Sequence, residues 1–199
     1  MENDPYVYPG TSILINKLGL RSAEILDVAL SVWTTEQIQK GTPKGNFDAE
    51  HLSAIHKYLF GRLFDWAGEF RITSLEKGDT HFMDPKFIGT GLAYVSNCLA
   101  QKDCLRGLPL DEFTTEAATI IGDLNHVHPF REGNGRTQLE FLKQLGSQAG
   151  HILDLTLLDK EKWIEASIAA HVADYAPMRH EILKLAQPGG RELEPGLDR

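Results

Sequence analysis

His128-Pro129-Phe130-Arg131-Glu132-Gly133-Asn134-Gly135-Arg136 sets a proton acceptor, a carboxylate, two glycines around an amide, and an arginine within nine residues. Before it, Phe113, Ala117, Ile120, Ile121, Leu124 and Val127 recur at helical spacing from about Leu110. Pro129 stops that helix just after it has delivered His128. After it, Leu139, Leu142, Leu145 and Ala149 mark a second helix that opens at Gly135 or Arg136 and ends at Gly150. Packing alone does not call for such chemistry between two amphipathic helices, so the loop is the candidate site and the fold around it is helical.

Each residue type in the loop has a physical use. Glycines at 133 and 135 let successive N–H groups turn inward as an anion-binding concavity, and the helix start behind them adds partial positive charge. Arg136 in the first helical turn can grip phosphate oxygens as a charged fork. Glu132 would repel bound phosphates unless a cation lay between them, which suits a Mg²⁺ ligand. His128, an imidazole near neutral pKa, suits a general base that takes a proton from a hydroxyl. Phe130 reads as an anchor in the core, and Arg131 as solvent-facing with some capacity to bind anions. A rival grouping of Asp123, His126 and His128 as transition-metal ligands stays open, since Asp123 and His126 share a helix face.

Working outward, Ser22 reads as the N-cap of a helix with stripe Ile25, Val28, Ala29, Val32 and Trp33, ending near Gly41. A second helix follows Asn46 or Asp48 with stripe Leu52, Ile55, Leu59, Leu63 and Trp66, closed by Gly68. His51 and His56 read as ordinary helix residues. Residues 69–84 change period: Phe70, Ile72 and Ser74 alternate, Lys77-Gly78-Asp79 is turn chemistry, and Thr80-His81-Phe82 returns. This predicts one short β-hairpin, which must pack on or bind something to be stable. Asp84-Pro85 starts a helix with stripe Phe87, Ile88, Gly91, Leu92, Val95 and Leu99. Residues 101–110 form a loop. Asp159 caps a helix carrying Trp163, Ala166 and Ala170, and Asp174 with Pro177 introduces a last helix through Ile182, Leu183 and Leu185. Residues 187–199, rich in Gly, Pro and charge, read as a frayed tail.

A chain of 199 residues with 42% hydrophobic content predicts one compact domain. Net charge −8 excludes a general nucleic-acid binder. Two cysteines are too few for a disulfide scaffold and read as free thiols of a reducing compartment. The acidic, polar start Met1–Tyr6 is no signal peptide, and no run approaches the roughly 20 apolar residues of a membrane span. The expected location is cytoplasmic, with delivery into another cell left open.

The loop matches the signature of Fic domain proteins, His-x-Phe-x-Asp/Glu-Gly-Asn-Gly-Arg-x-x-Arg, and the chain resembles that family from about residue 47 to 186. Phe64-Asp65-Trp66-Ala67-Gly68, Lys77-Gly78-Asp79-Thr80 and the lead-in Tyr6–Gly10 are also similar, the last to bacterial Fic toxins. The resemblance implies an all-α Fic-fold bundle with one β-hairpin flap, a lead-in and helix at 1–46 packed on it, and the tail at 187–199. It implies a nucleotidyltransferase that moves AMP from Mg²⁺-ATP to a Ser, Thr or Tyr hydroxyl of a target protein. His128 would be the base, Glu132 the metal ligand, and Asn134 and Arg136 further catalytic residues. The nucleotide would be held by Lys77, Gly78, Phe130, Arg131, Gly133, Asn134, Gly135 and Arg136. Ser74, Leu75, Thr80 and His81 of the flap would hold the target segment by strand addition.

One position departs from the pattern: the second arginine falls at 139, where this chain has Leu139. A lost charged hydrogen bond costs roughly 1.5–3 kcal/mol, or about ten- to a hundredfold in nucleotide use. A different donor nucleotide, or a weakened nucleotide-binding module, are the rival readings. Family members are often silenced by a helix with Ser/Thr-x-x-x-Glu, but no Ser or Thr here has Glu four residues later. An inhibitor of that kind would be a separate small protein, as in toxin–antitoxin pairs.

Overall fold

The structure is a computed structural model that describes residues 4–187. It is built on α4, Leu110–Val127, an 18-residue helix that touches α3, Ile88–Gln101, α5, Asn134–Ala149, α6, Lys160–His171, and α7, Ala176–Leu185. Burial explains why α4 is central. Phe113, Ala117, Ala118, Ile120, Ile121, Leu124 and Val127 are all buried, so its apolar surface is too wide for one neighbour. On the other side of α5 lies α2, Ala49–Phe60, and α1, Ala23–Lys40, packs on α2.

The caps follow the sequence. The Ser22 hydroxyl accepts from Ile25 N–H at 3.3 Å, Asp48 from His51 N–H at 2.8 Å, and Asp159 from Glu161 and Lys162 N–H at 3.0 and 3.1 Å. Each satisfies a donor that the first helical turn leaves without an intrahelical partner.

Four expectations are corrected. In α1 only Ala29 and Trp33 of the predicted stripe pack against the core: Ile25, Val28 and Val32 are 57%, 64% and 65% exposed, while Leu26, Leu30, Thr34 and Gln37 are buried. This helix is apolar on two sides, so spacing alone selects no face. The second helix ends at Phe60, not Gly68, with Gly61 as its C-cap, where a Cβ would stand 2.5 Å from the Lys57 carbonyl oxygen. Phe87 is exposed, since Pro85–Phe87 is a 3₁₀ turn that precedes α3. The hairpin is far shorter than 69–84: β1, Glu76–Lys77, pairs antiparallel with β2, Thr80–His81, around Gly78 at φ 58°. Phe70, Ile72 and Ser74 form no strand, because Arg71 between them is drawn down into the body.

A second two-stranded sheet, unforeseen in the sequence, pairs β3, Ile152–Leu153, with β4, Ala186–Gln187. Gln187, placed in the tail by composition, therefore belongs to the fold. The remainder of that tail lies outside the described residues. No helix among those described is long and apolar enough to cross a membrane.

The crossing of α4 over α6 and α7 depends on Gly122, where an added Cβ would meet the Tyr175 ring at 2.7 Å and the Ala170 methyl at 2.9 Å. Overpacking of this sort costs about 1–3 kcal/mol. Gly122→Ala should therefore lower the midpoint of thermal unfolding, and an unchanged midpoint would contradict this packing.

Candidate functional site

Helix α4 delivers His128 by ending in a left-handed residue: His128 has φ 45° and ψ 62°. Its N–H still closes the helix on Leu124 at 3.0 Å, and the chain then leaves at a sharp angle. A non-glycine residue in this region carries a steric cost, which here is set against the contacts of His128 with Phe82, Asn125 and Arg71. The imidazole stacks on Phe82 of the flap, with centroids 3.7 Å apart and planes 18° apart. Its Nδ1 faces the Asn125 carbonyl at 3.3 Å. A carbonyl can only accept, so Nδ1 carries the hydrogen and Nε2 keeps its lone pair. Burial pushes the His128 pKa down to about 4, assisted by the positive charges of Arg71 and Lys77 and opposed by the Asn125 hydrogen bond. The ring is thus an uncharged acceptor at neutral pH.

Beneath it lies a residue that the sequence reading missed. Arg71 is 2% exposed. Its Nε donates to the His128 carbonyl at 2.8 Å, Nη1 to Thr73 at 2.8 Å, and Nη2 to Val127 at 3.3 Å and to Met83. Its own N–H reaches the Pro129 carbonyl at 2.8 Å. One guanidinium therefore ties the end of α4 to both ends of the flap. Burial lowers its pKa, with Asp84 as the largest opposing influence.

The anion cradle is open. Gly133 has φ 84°, and a Cβ there would fall 2.4 Å from the Phe60 ring, so only glycine fits. No side chain caps the start of α5, which leaves its first N–H groups for a ligand. A cavity of about 560 Å³ lies over this cradle. Lys77, Gly78, Leu75 and Thr80 of the flap form one wall, and Trp163, Ile164 and Ile168 of α6 form another. His128, Arg131, Glu132 and the Gly133–Gly135 turn form the floor.

Several predicted roles meet a different geometry. Phe130 is fully buried and stacked on His56 at 3.8 Å, so its side chain is not available to a nucleotide. Asn134 is 3% exposed and clasps Phe130, accepting from its N–H at 2.9 Å and donating to its carbonyl at 2.7 Å. Its amide shapes the loop, with one N–H of the NH₂ group spent on the Phe130 carbonyl, while the residue still borders the cavity. Arg131 is not solvent-facing: its guanidinium pairs with Asp4 at 2.7 Å while lining the cavity. Arg136 lies over the Phe60 ring at 4.8 Å and pairs with Glu132 at 3.3 Å. Of the flap residues, Ser74 lines a separate groove with Arg71 and Asp84, and His81 turns to Glu76 at 3.3 Å.

The rival metal grouping does not assemble. Asp123 accepts from the Tyr175 hydroxyl at 2.7 Å, and His126 meets His171 with their Nδ1 atoms 3.3 Å apart. Among the described residues, no group of three or more His, Cys, Asp and Glu side chains is arranged to hold a metal. A single carboxylate does suit Mg²⁺, which draws its other ligands from substrate phosphates and water, and Glu132 borders the cavity with its carboxylate held only by Arg136. His51 and His56, read as ordinary helix residues, are 3% and 0% exposed. His51 faces the Pro43 carbonyl at 3.1 Å, and His56 reaches the loop itself. The signal available in sequence was an imidazole on the same side of the helix as Leu52 and Leu59.

A left-handed helix exit that presents a neutral imidazole beside a glycine anion cradle, under a short hairpin, defines a Fic-type nucleotide-site architecture. The chain belongs to the Fic/DOC family, whose model matches residues 46–145. It is 34% identical over 183 residues to the probable protein adenylyltransferase y4lH of Sinorhizobium fredii, covering 92% of this chain and 95% of that one. It is 35% identical over 172 residues to the protein adenylyltransferase VbhT of Bartonella schoenbuchensis, covering 85% of this chain and 36% of that longer relative. Among solved structures, the BepC protein of Bartonella tribocorum with bound AMPPNP superposes with a TM-score of 0.83 at 32% identity, over 92% of this chain and 96% of that one. A Fic domain from Bartonella quintana with bound ADP gives 0.84 at 31% identity, over 93% and 95%.

His56 and His128 both have pKa values near 4, below the 6.5 of an exposed imidazole. Between these values the unfolded chain binds more protons than the folded one, so stability rises with pH across this window. Ring-nitrogen NMR should find both imidazoles neutral at pH 5.5, and unfolding free energy should fall as pH drops from 6.5 towards 4. Either ring titrating near 6.5 would contradict the burial described here.

Proposed function

We propose that the protein is a protein adenylyltransferase that moves AMP from Mg²⁺-ATP to a Ser, Thr or Tyr hydroxyl of a target protein. The single observation that carries this reading is the neutral His128 beside the open Gly133–Gly135 cradle in one cavity. The names of the curated relatives and the nucleotides bound in the related structures support it.

The residues divide the work. Nε2 of His128 accepts the proton of the target hydroxyl as that oxygen attacks the α-phosphorus. The bond to the bridging oxygen breaks, and pyrophosphate leaves with the electron pair. The N–H groups at the start of α5 hold phosphate oxygens, and Arg136 offsets charge on the leaving group. Mg²⁺, held by Glu132, would neutralise phosphate charge when bound. Glu132 and Arg136 pair at 3.3 Å, and Arg136 also reaches the Thr34 hydroxyl at 3.4 Å. With substrate present, the Glu132 carboxylate would be the group to hold the metal and the Arg136 guanidinium the group to hold phosphate. The flap, whose Leu75 and Thr80 border the cavity, holds the target segment by strand addition.

Leu139 favours a second reading, a Fic-fold enzyme with a different donor or weakened ATP use. It is half-buried and packed against the core, and it supplies no charge to the cavity. Control by a separate small inhibitor protein, and a cytoplasmic site of action, belong to the same proposal. What supports the separate inhibitor is that no Ser or Thr within these 199 residues is followed four residues later by Glu.

With α-labelled ATP, Mg²⁺ and cell lysate, the protein should label a target, and His128→Ala should abolish labelling. Label transfer unaffected by that substitution would overturn the mechanism. Leu139→Arg, three residues from Arg136 and so on the same side of α5, should raise ATP use about ten- to a hundredfold. A nucleotide panel by calorimetry that prefers a non-adenine donor would favour the second reading.

A further inference from the structure

His56 lies on α2, outside the motif, and is fully buried. Its two ring nitrogens are both committed to backbone. Nδ1 accepts from Gly68 N–H at 2.8 Å, so it carries no hydrogen. The hydrogen is therefore on Nε2, which donates to the Glu132 carbonyl at 2.9 Å. The ring lies nearly parallel to Phe130 at 3.8 Å and is tilted towards Phe60 at 4.7 Å. One tautomer in one orientation is fixed.

The consequence runs through the planarity of the peptide. In a trans peptide the carbonyl and the following N–H point in opposite directions, and the chain has no cis peptide among the described residues. Drawing the Glu132 carbonyl into the core towards His56 therefore turns Gly133 N–H the other way, towards the cavity that Gly133 lines. Among the described residues nothing accepts from that N–H. It is a free donor beside the free N–H groups at the start of α5. The same peptide carries the backbone of Glu132, so its plane also sets where the carboxylate begins.

We propose that His56 is a positioning residue for the nucleotide site: by fixing the Glu132–Gly133 peptide it aims the Gly133 N–H at phosphate and the Glu132 carboxylate at the metal. The assignment rests on the reading of the cavity as a Mg²⁺-nucleotide site. Burial keeps the ring neutral, with a pKa near 4. This preserves the acceptor lone pair that Gly68 needs.

Two amide substitutions separate the two bonds. In His56→Gln the side-chain N–H₂ sits near the place of Nε2 and can still donate to Glu132, while the bond to Gly68 is lost. In His56→Asn the side-chain oxygen sits near the place of Nδ1 and can accept from Gly68, while Glu132 is out of reach. Thermal unfolding reports the packing role, which both variants disturb. Calorimetry with Mg²⁺-AMPPNP and the Gly133 amide resonance report the positioning role. His56→Asn should weaken nucleotide binding at least tenfold more than His56→Gln does and should raise the Mg²⁺ concentration needed. The Gly133 amide should shift on nucleotide addition in the wild type and in His56→Gln, and stay still in His56→Asn. Equal affinity losses in both variants, beside a wild type that binds, would overturn the assignment alone. A wild type that binds no nucleotide would overturn the reading of the cavity and this assignment with it.

Discussion

The guanidinium of Arg71 is the contact on which the site depends. It donates to carbonyls at Thr73, Met83, Val127 and His128. A helix leaves its last carbonyls without intrahelical partners, and here two of them are met by a buried cation contributed by the segment that leads into the flap. A hairpin of two residues per strand has little stability of its own. It is held in place because its approach and its exit both bind the same side chain, and because Phe82 lies flat on His128. Removing that cation would take the donor from all four of these carbonyls at once.

Around this tie, the loop is organised so that most side chains work on its shape and few face the ligand. Phe130 fills the core, Asn134 clasps Phe130, Gly133 admits the Phe60 ring, and His56 holds the Glu132 carbonyl. What the proposed function has left to work with is small: one imidazole nitrogen, one carboxylate, one arginine and a set of backbone N–H groups. Backbone donors held by a rigid scaffold need no rearrangement when charge arrives, which is how a preorganised anion site gains its strength. The chain carries a net negative charge, but the charged residues at the cavity are balanced, with Lys77 and Arg131 set against Glu76 and Glu132.

The sequence made much of this legible, and the losses have physical reasons. Helices α4 and α5 were readable because a long apolar stripe has one buried side, and Pro129 and Gly150 mark their ends. The caps at Ser22, Asp48 and Asp159 were readable because a side-chain oxygen at a helix start has a local purpose. The buried face of α1 was not, since Ile25, Val28 and Val32 compete with Leu26 and Leu30, and only the position of α2 decides between them. Arg71 was hidden in an alternating stretch that imitates a strand, and its partners at the end of α4 lie more than fifty residues away. His56 carries no local sign of its role, because both its bonds go to backbone groups of other segments. The motif named the chemistry, but the division between groups that touch a ligand and groups that shape the loop is a property of three-dimensional contacts.

The ion pair between Asp4 and Arg131 joins positions 127 apart. During translation at about 5–20 residues per second, the N-terminal arm would wait roughly 6–25 s for its counterpart to be made. Before then the residues of α1 to α4 have been made, while the floor of the cavity still lacks Arg131 and the start of α5. A chain whose synthesis has not reached Arg131 therefore lacks this ion pair, and with it the cavity floor that Arg131, Glu132 and the Gly133–Gly135 turn supply.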